Sequence, residues 1–235
     1  MEEHSLTNTF YYGADKLLVA VDCIIFGFDG QQLKLLLFKR KVDPYAGKWS
    51  LVGSFVKERE SLDVAAARIL YELAGLRNVF MSQLHSFGEV ERDPGARVIS
   101  IAYFALIRLD TFDEDQVKEH GARWFAINDL PELIFDHQTM VNLAHEQLKK
   151  QARYQPIGFE LLPQKFTLPQ LIKLYEEIYQ EKIDDRNFRK KIKAMNLLRQ
   201  LNEKDKSTSK KGAYYYSFDK SKYNTLLAKG FNFEL

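Results

Sequence analysis

The sequence predicts an α+β protein with a mixed sheet, followed by a smaller domain of two helices and a strand. Between residues 1 and 153, runs of β-branched and apolar residues alternate with stretches of helical periodicity, which is the order of an α+β fold. The stretch "RYQPIGFELLPQKF" interrupts this order with two prolines. We therefore expect a first domain over residues 1–153, a linker over 154–164 and a second domain over 165–235.

The elements of the first domain are visible as patterns. "KLLVAVDCIIFGF" predicts a central strand, and "LKLLLFKRK", after the turn "DGQQ", predicts the returning strand of a hairpin. "LHSFGEV", "RVISIAYFALIRL" and "ARWFAI" predict further strands. "SLDVAAARILYELAG" predicts a helix capped by Ser61 and closed by Gly75, and "DHQTMVNLAHEQLKKQARY" predicts a helix capped by Asp136.

The second domain differs from the first in charge as well as in pattern. Residues 1–150 hold 17 Lys and Arg against 22 Asp and Glu, a net charge of −5, whereas residues 151–235 hold 17 against 10, a net charge of +7. "TLPQLIKLYEEIYQ" predicts a helix capped by Thr167, "DRNFRKKIKAMNLLRQL" a second helix, "NEKDKSTSKKG" a basic loop and "AYYYSFD" a strand. A basic domain on an acidic body favours contact with a polyanion, with a solvated basic surface as the alternative.

Composition excludes several classes of protein. The longest apolar runs fall well short of the roughly 20 residues that span a bilayer, so we expect no membrane segment. The acidic, polar start "MEEHSLTNTF" does not fit a secretory signal. Cys23 is the single cysteine, which fits a reducing cytoplasm, and we expect it to be a small core residue.

The stretch Ser54 to Leu76, "SFVKERESLDVAAARILYELAGL", resembles the Nudix box of the Nudix hydrolases. In that signature, a Gly, five residues and a Glu are followed, after seven residues, by Arg-Glu-aliphatic-any-Glu-Glu-any-Gly-aliphatic. Without gaps, Glu60, Arg68, Glu72 and Gly75 fall on their positions. Two of the clustered Glu positions hold Ile69 and Leu73 instead.

Those two departures predict loss of catalysis. Carboxylates three and four residues apart share one helix face, where they hold Mg²⁺ against a diphosphate. With Ile69 and Leu73 the site gains alkyl groups, and Glu72 alone is a weak Mg²⁺ site, so we expect no hydrolase activity, metal or cofactor. Substitute ligands at Glu58, Glu89 or Glu91 are the remaining route to an active enzyme.

The flanks "PYAGKWSLVGSFV", "LHSFGEVERDPGARVISIAYFALI" and "ARWFAINDLPELIFDHQTMV" extend the resemblance to one subgroup, the Nudix-related transcriptional regulators. The resemblance implies a Nudix-like α/β/α sandwich with a mixed sheet, followed by a winged helix-turn-helix domain. It further implies a homodimer on a near-palindromic operator, in which an effector occupies the old substrate cleft and releases the DNA. The apolar N-terminal strand and hairpin are our candidate dimer surface.

The basic helix carries the predicted DNA contacts. Phe188, Ile192, Met195 and Leu198 recur at helical spacing and predict its core face, which leaves the basic face for a major groove. Arg and Asn there suit base edges, and lysines of the following wing suit phosphates. The predicted DNA-binding residues are Arg186, Asn187, Arg189, Lys190, Lys193, Lys210 and Lys211.

The effector is predicted from what the Nudix box has lost. In the regulator family, effectors include ADP-ribose, for control of NAD metabolism, and pentoses such as L-arabinose or xylose. A diphosphate wants Mg²⁺ or a dense basic cradle, so the loss of the carboxylates favours L-arabinose and control of sugar catabolism. ADP-ribose sensing and an active Nudix hydrolase are the alternatives. The resemblance places six polar residues near the old cleft, and these are the predicted effector-binding residues: Asp22, Lys39, Arg40, Glu72, Glu89 and Glu91.

Overall fold

A computed structural model describes residues 13–111, 114–207 and 210–235. The N-terminal stretch judged not to be a signal lies outside these residues. The strands are β1 Leu18–Phe28, β2 Leu33–Lys39, β3 Trp49–Ser50, β4 Val52–Phe55, β5 Ser82–Phe87, β6 Val98–Arg108, β7 Ala122–Ala126, β8 Phe166–Thr167, β9 Leu198–Asp205 and β10 Ala213–Phe218. The α-helices are α1 Leu62–Ala74, α2 Glu114–Glu119, α3 His137–Tyr154, α4 Leu168–Tyr179, α5 Asp185–Ala194 and α6 Lys220–Leu227.

Strand β1 is the centre of a seven-stranded mixed sheet. It pairs in parallel with β6 along its whole length. Its other edge is shared, because residues 20–23 pair antiparallel with β4 and residues 26–28 pair antiparallel with β2. The two partners part in the middle of β1, and this fork positions the cleft described below.

The side chains on the two faces of β1 pack into different layers of the core. Val21, Cys23 and Ile25 pack on the α1 side, whereas Ile24 and Phe26 pack on the α3 side. This alternation is the two-residue period of a strand that is covered on both faces. The fold is thus the predicted α/β/α arrangement. Cys23 is fully buried, and burial raises the pKa of its thiol well above the usual range, as expected for a core residue.

The C-terminal residues form a winged helix domain. Helices α4 and α5 precede the hairpin of β9 and β10, and β8 pairs with β10 on its other edge. Thr167 caps α4 in a reciprocal capping box with Gln170, and Asp184 caps α5. The fold class predicted from the sequence is therefore confirmed.

The predicted linker is packed rather than extended. Helix α3 runs to Tyr154, and a 3₁₀ turn follows at Ile157–Glu160. Leu161 and Leu162 are almost fully buried, in the same core cluster as α3 and α4. The apolar layer on the α3 side of the sheet is thus continuous with the core of the winged helix domain, which gives the two domains a shared core.

Three predictions at the level of elements differ from the structure in whole or in part. The second helix of the winged domain ends at Ala194, because Asn196 takes a left-handed conformation (φ 54°) and residues 198–205 pair with β10 as a strand. Asp136 is at the N-cap position of α3, as predicted, but its side chain makes no capping hydrogen bond. Strand β1 cannot be a dimer surface over residues 20–28, since those residues are buried in the middle of the sheet. Helices α2 and α6 were not predicted.

In the part of the chain that the structure describes, no helix has both the length and the apolar character needed to cross a membrane.

Candidate effector cleft and nucleic-acid surface

A cleft of ≈ 270 Å³ opens beside the fork of β1. It is walled by the N-terminal half of β1, by β4, by the end of β2, by the start of α3 and by the loop before β6. Its lining combines apolar groups with charged ones of both signs. The charged lining residues are Asp22, Arg40, Lys41, Arg92 and Asp93.

Asp22 forms the polar floor of the cleft. Its side chain is buried in the middle of β1, where the Ser100 hydroxyl donates to Oδ2 (2.5 Å). Arg92 Nη2 lies 3.9 Å from the same oxygen. Gly53 is opposite Asp22 in β4, and a Cβ at that position would lie 1.8 Å from Asp22 Oδ1. Glycine at position 53 is therefore what makes room for the carboxylate.

His137 stands beside Asp22 in a defined tautomer. The Leu51 backbone N–H donates to Nδ1 (3.1 Å), so the ring proton of the neutral imidazole is on Nε2. Nε2 lies 3.6 Å from Asp22 Oδ1. Burial lowers the pKa of His137, against the opposing effect of Asp22, so the ring is neutral at pH 7. His137 thus offers an N–H donor next to a carboxylate acceptor.

Arg92 is the buried cation of the cleft. Its Nε and Nη2 donate to the two oxygens of Asp136, at 2.9 and 2.6 Å. This bidentate pair explains why Asp136 does not cap α3, because both carboxylate oxygens are turned towards the guanidinium. Arg92 therefore joins the loop before β6 to the start of α3 and places positive charge near Asp22.

The rim of the cleft is basic and aromatic. Arg40 Nε donates to the Pro44 carbonyl (2.6 Å), and its guanidinium carbon lies 5.3 Å from the centre of the Phe135 ring. Phe135 has a positive φ of 53°, a conformation that is unfavourable for a bulky residue, and strain of this kind clusters at functional sites. Exposed Lys41 adds a second cation beside Phe38.

Two of the six predicted effector residues, Asp22 and Arg40, line this cleft. Lys39 alternates with Phe38 and Arg40 along the chain, and its exposed side chain is on the opposite face of the strand. Glu89 and Glu91 are exposed on the loop before β6, and Glu72 is engaged on helix α1. These four are not among the lining residues.

Helix α1 keeps the Nudix framework but uses its carboxylates differently. Arg68 donates to Glu60 (2.5 and 2.9 Å), to Glu72 (2.9 Å) and to the Phe55 carbonyl (3.0 Å). The hydrogen bonds that Glu60 accepts from Arg68, with one from the Lys57 backbone, lower the pKa of Glu60 to about 2. The surviving Glu residues are thus partners of an arginine that ties α1 to β4.

The two altered positions have different surroundings. Ile69 is fully buried in the α1-side core, so the expectation that its side chain lines the cleft is wrong. Leu73 does line it. Among residues 13–111, 114–207 and 210–235, no three His, Cys, Asp or Glu side chains are grouped so that they would hold a metal ion.

Arg92, His137 and Phe135 are cleft residues that were not predicted. Arg92 was hidden in a charged loop, directly after Glu91, where single-sequence patterns do not say which charge turns inward. His137 and Phe135 are next to Asp136, which the sequence suggested only as a cap. A helix start flanked by aromatic and titratable residues is the one signal that pointed to them.

The basic surface of the winged domain is largely where it was predicted. On α5, Phe188 and Ile192 are buried, whereas Arg186, Lys190 and Lys193 are exposed. Asn187 donates to Asp184 (2.9 Å) and Arg189 is paired with Asp185, so two predicted base readers are held by acidic residues of the helix start. Of the remaining predicted core residues, Met195 and Leu198 are half-buried, and Leu198 belongs to β9.

Lys210 and Lys211 are exposed at the turn between β9 and β10. Near the same end of the hairpin, the Lys204 ammonium lies 4.4 Å from the centre of the Tyr214 ring. The hairpin therefore presents lysines at its tip, as a wing that contacts phosphates would.

These features define a class of protein. Its members join a domain with a Nudix-type ligand cleft to a winged helix domain with a basic helix and wing. The family description "NUDIX domain" matches residues 16–146, and "NrtR DNA-binding winged helix domain" matches residues 158–218. The chain belongs to the Nudix family and carries an NrtR-type winged helix domain. The resemblance to Nudix-related regulators is confirmed, whereas its arabinose-responsive branch is not supported.

Three relatives show how far the similarity extends. The "ADPR responsive transcriptional repressor NtrR" of Acinetobacter baylyi is 29% identical over 211 residues, which cover 88% of this chain and 84% of the relative. The "ADP-ribose pyrophosphatase" of Methanocaldococcus jannaschii is 37% identical over 124 residues, which cover 52% of this chain and 70% of the relative.

The third relative is NrtR of Shewanella oneidensis, which is known from crystal structures. Its complex with a 27mer DNA matches with a TM-score of 0.74 at 28% identity and covers 85% of this chain and 93% of that one. Its NUDIX domain complexed with ADP ribose matches with a TM-score of 0.53 at 30% identity and covers 61% and 96%.

Proposed function

We propose that this protein is a transcriptional repressor that binds ADP-ribose in the cleft of its Nudix domain and then releases operator DNA. The observation that carries the proposal is a cleft with three basic side chains, Arg40, Lys41 and Arg92, in a chain similar over most of its length to an ADPR-responsive repressor. Basic groups hold a diphosphate by charge-assisted hydrogen bonds and need no metal ion.

ADP-ribose therefore replaces L-arabinose as the preferred effector. The prediction of a neutral sugar assumed that nothing would hold a diphosphate once the carboxylates of the Nudix box were lost. The cleft supplies the alternative, since its cations come from the end of β2 and from the loop before β6. Asp22 and the Nε2–H of His137 are the matching acceptor and donor for ribose hydroxyls on the cleft floor.

We further propose that the protein binds ADP-ribose without hydrolysing it. Glu72 is paired with Arg68, Leu73 contributes an alkyl group to the cleft, and a carboxylate at position 69 would point into the core. A Mg²⁺ ion bridging a diphosphate needs several oxygen ligands on one face, and α1 offers few. The similarity to an ADP-ribose pyrophosphatase keeps an active hydrolase as the second candidate.

The DNA is held by the exposed basic face of α5 and by the lysines of the wing. A homodimer that reads two half-sites in the cytoplasm remains part of the proposal, because a two-fold protein matches a near-palindromic operator. The affinity of such a complex falls steeply with salt, since each phosphate contact releases counterions.

The deciding experiment measures effector and DNA binding in one set of titrations. Thermal shift and calorimetry compare ADP-ribose with L-arabinose, and fluorescence anisotropy follows a duplex from the region upstream of the protein's own gene. We expect ADP-ribose alone to raise the melting temperature and to weaken the DNA complex. An effect of L-arabinose, or indifference to both compounds, would reject ADP-ribose as the effector.

Matched variants test the site. Arg40→Gln should weaken ADP-ribose binding, whereas Arg59→Gln, at an exposed position outside the cleft, should not. Lys190→Gln should weaken DNA binding and lower its salt slope by about 1, whereas Lys229→Gln, exposed near the end of the chain, should leave both unchanged. If the two members of either pair behave alike, the surface has been assigned incorrectly.

Hydrolysis is tested by incubating the protein with ADP-ribose and Mg²⁺ and separating the products by chromatography. We expect no AMP. Mg²⁺-dependent release of AMP that is lost in Glu72→Ala would support the hydrolase in place of the non-catalytic regulator.

A further inference from the structure

Two elements of the first domain lead from the cleft to the winged helix domain. Strand β2 lines the cleft with Phe38 near its end, and at its start the Leu33 backbone N–H donates to Glu177 Oε2 (3.2 Å). Helix α3 begins in the cleft with His137, and His145, about 12 Å further along the helix, places Nε2 2.7 Å from the Ile178 carbonyl. A carbonyl only accepts, so His145 Nε2 is the donor.

Both elements end on the same turn of one helix. Glu177 and Ile178 are adjacent in the last turn of α4, the helix that precedes the basic helix α5. The Tyr175 ring on α4 packs against the Phe188 ring on α5, with 5.2 Å between their centres. A displacement of this turn is therefore passed to α5 through a packed contact rather than through a flexible linker.

Glu177 is built into the junction. Its carboxylate is largely buried and accepts from both Leu33 N and Lys173 Nζ, the latter at 2.7 Å. Leu33 itself is fully buried, so its backbone N–H depends on this acceptor from the other domain. The contact ties the start of β2 to α4 by a charge-assisted hydrogen bond.

A second, independent observation concerns how α4 is packed. The hydroxyl of Tyr175 is completely buried and has no hydrogen-bond partner among the residues that the structure describes. Native structures leave few buried polar atoms unpaired, and those that remain call for an explanation such as stored strain. An arrangement of α4 that pairs this hydroxyl is correspondingly closer in free energy.

We propose that the last turn of α4 is the relay between the two functions, and that Glu177 and His145 are its coupling residues. Occupancy of the cleft shifts the end of β2 and the start of α3, and the two cross-domain hydrogen bonds carry that shift to α4 and hence to α5. The inference rests on the proposed function, because it needs an effector in the cleft and DNA on α5. Both sites then bias one packed element, which is the physical requirement for coupling.

The test measures a coupling ratio, the Kd for the operator duplex with saturating ADP-ribose divided by the Kd without it. Glu177→Leu removes the acceptor for Leu33, and His145→Phe removes the donor to Ile178 while keeping a ring against Phe26, whose centre is 6.3 Å away. Glu177→Gln keeps an acceptor. Glu181→Leu, at an exposed position just beyond α4, is the matched control.

We expect the wild-type ratio to fall in the range of about 5–150 that is usual for allosteric coupling. Glu177→Leu and His145→Phe should each reduce the ratio at least fivefold, while the separate affinities for ADP-ribose and for DNA change less than threefold. Glu177→Gln and Glu181→Leu should keep the wild-type ratio. A merely structural role would instead lower the melting temperature and leave the ratio unchanged.

Two failures are distinguishable. If the wild-type protein responds to ADP-ribose and both uncoupling variants respond equally well, the relay is overturned and the proposed function stands. If the wild-type protein itself shows no response, the proposed function falls and the relay falls with it. Circular dichroism identifies a variant that fails to fold, in which case the variant at the other cross-domain hydrogen bond decides.

Discussion

Arg92 neutralises the carboxylates of Asp22 and Asp136 at the cleft floor, and its replacement by leucine should destabilise the fold by an amount that can be estimated. The side chain is 3% exposed, donates twice to Asp136 and lies 3.9 Å from Asp22. Arg92→Leu removes this cation and leaves the two carboxylates without it. Removing one partner of a buried ion pair costs about 3–5 kcal/mol, because the remaining charge is no longer compensated.

The cost is measured by urea unfolding followed through the fluorescence of Trp49 and Trp124. For a chain of this length, the expected loss corresponds to a fall in the melting temperature on the order of 10 °C. The double variant Arg92→Leu, Asp136→Asn should recover much of the loss, since it also removes one carboxylate. Arg97→Leu is the matched control in the same loop, and because that guanidinium makes an exposed contact with the Glu89 carbonyl we expect a cost below about 1 kcal/mol.

Either of two results would refute this reasoning. A cost below about 1 kcal/mol for Arg92→Leu would mean that the guanidinium does not stabilise the buried carboxylates. A double variant as unstable as the sum of the two single variants would mean that Arg92 and Asp136 act independently.

Three further predictions concern a close contact, an unpaired hydroxyl and an ion pair. Gly53→Ala places a Cβ 1.8 Å from Asp22 Oδ1, so it should destabilise the fold by about 1–3 kcal/mol. It should also weaken effector binding in calorimetry while DNA binding persists. Unchanged effector affinity would exclude Asp22 from the site. Tyr175→Phe should raise the free energy of unfolding by about 1 kcal/mol and the melting temperature by about 2–4 °C, because it removes a buried, unpaired hydroxyl; destabilisation would show that the hydroxyl has a partner. Glu60, whose pKa is lowered from 4.5 to about 2, stabilises the fold above its unfolded pKa and loses that contribution as the pH falls towards 2. The difference in melting temperature between wild type and Glu60→Gln should therefore shrink from pH 7 to pH 2. A constant difference would contradict the ion pair with Arg68.

Much of the fold was predictable because its elements are strongly periodic. The helix from Leu62 to Ala74 begins and ends at the predicted residues, since Ser61 and Gly75 have cap chemistry that acts within one turn. The strand Leu198–Asp205 was missed because most of its residues are polar or charged on both faces, and its two leucines are three positions apart rather than alternating. What makes it a strand is its partner β10, which lies later in the chain.

The candidate site was less predictable than the fold. Asp22 and Arg40 were predicted from the family resemblance, which placed them near the old cleft, and both line it. Lys39 was predicted wrongly because its side chain is on the strand face opposite to the one that lines the cleft. Glu72 forms an ion pair with Arg68, one helical turn away, and does not line the cleft. The effector class was inferred from one helix, while the cations that argue for a diphosphate came from other elements.

The sequence by itself determined the two domain types, the apolar faces of their helices and strands, and the replacement of two Nudix glutamates by Ile69 and Leu73. Those features depend on spacing within one element, which a single chain displays directly. Only the tertiary structure decided that Asp22, Arg92 and His137 meet in one cleft and that Leu33 and His145 reach the last turn of α4. Sheet order and loop paths bring these distant residues together, and no local pattern encodes that convergence.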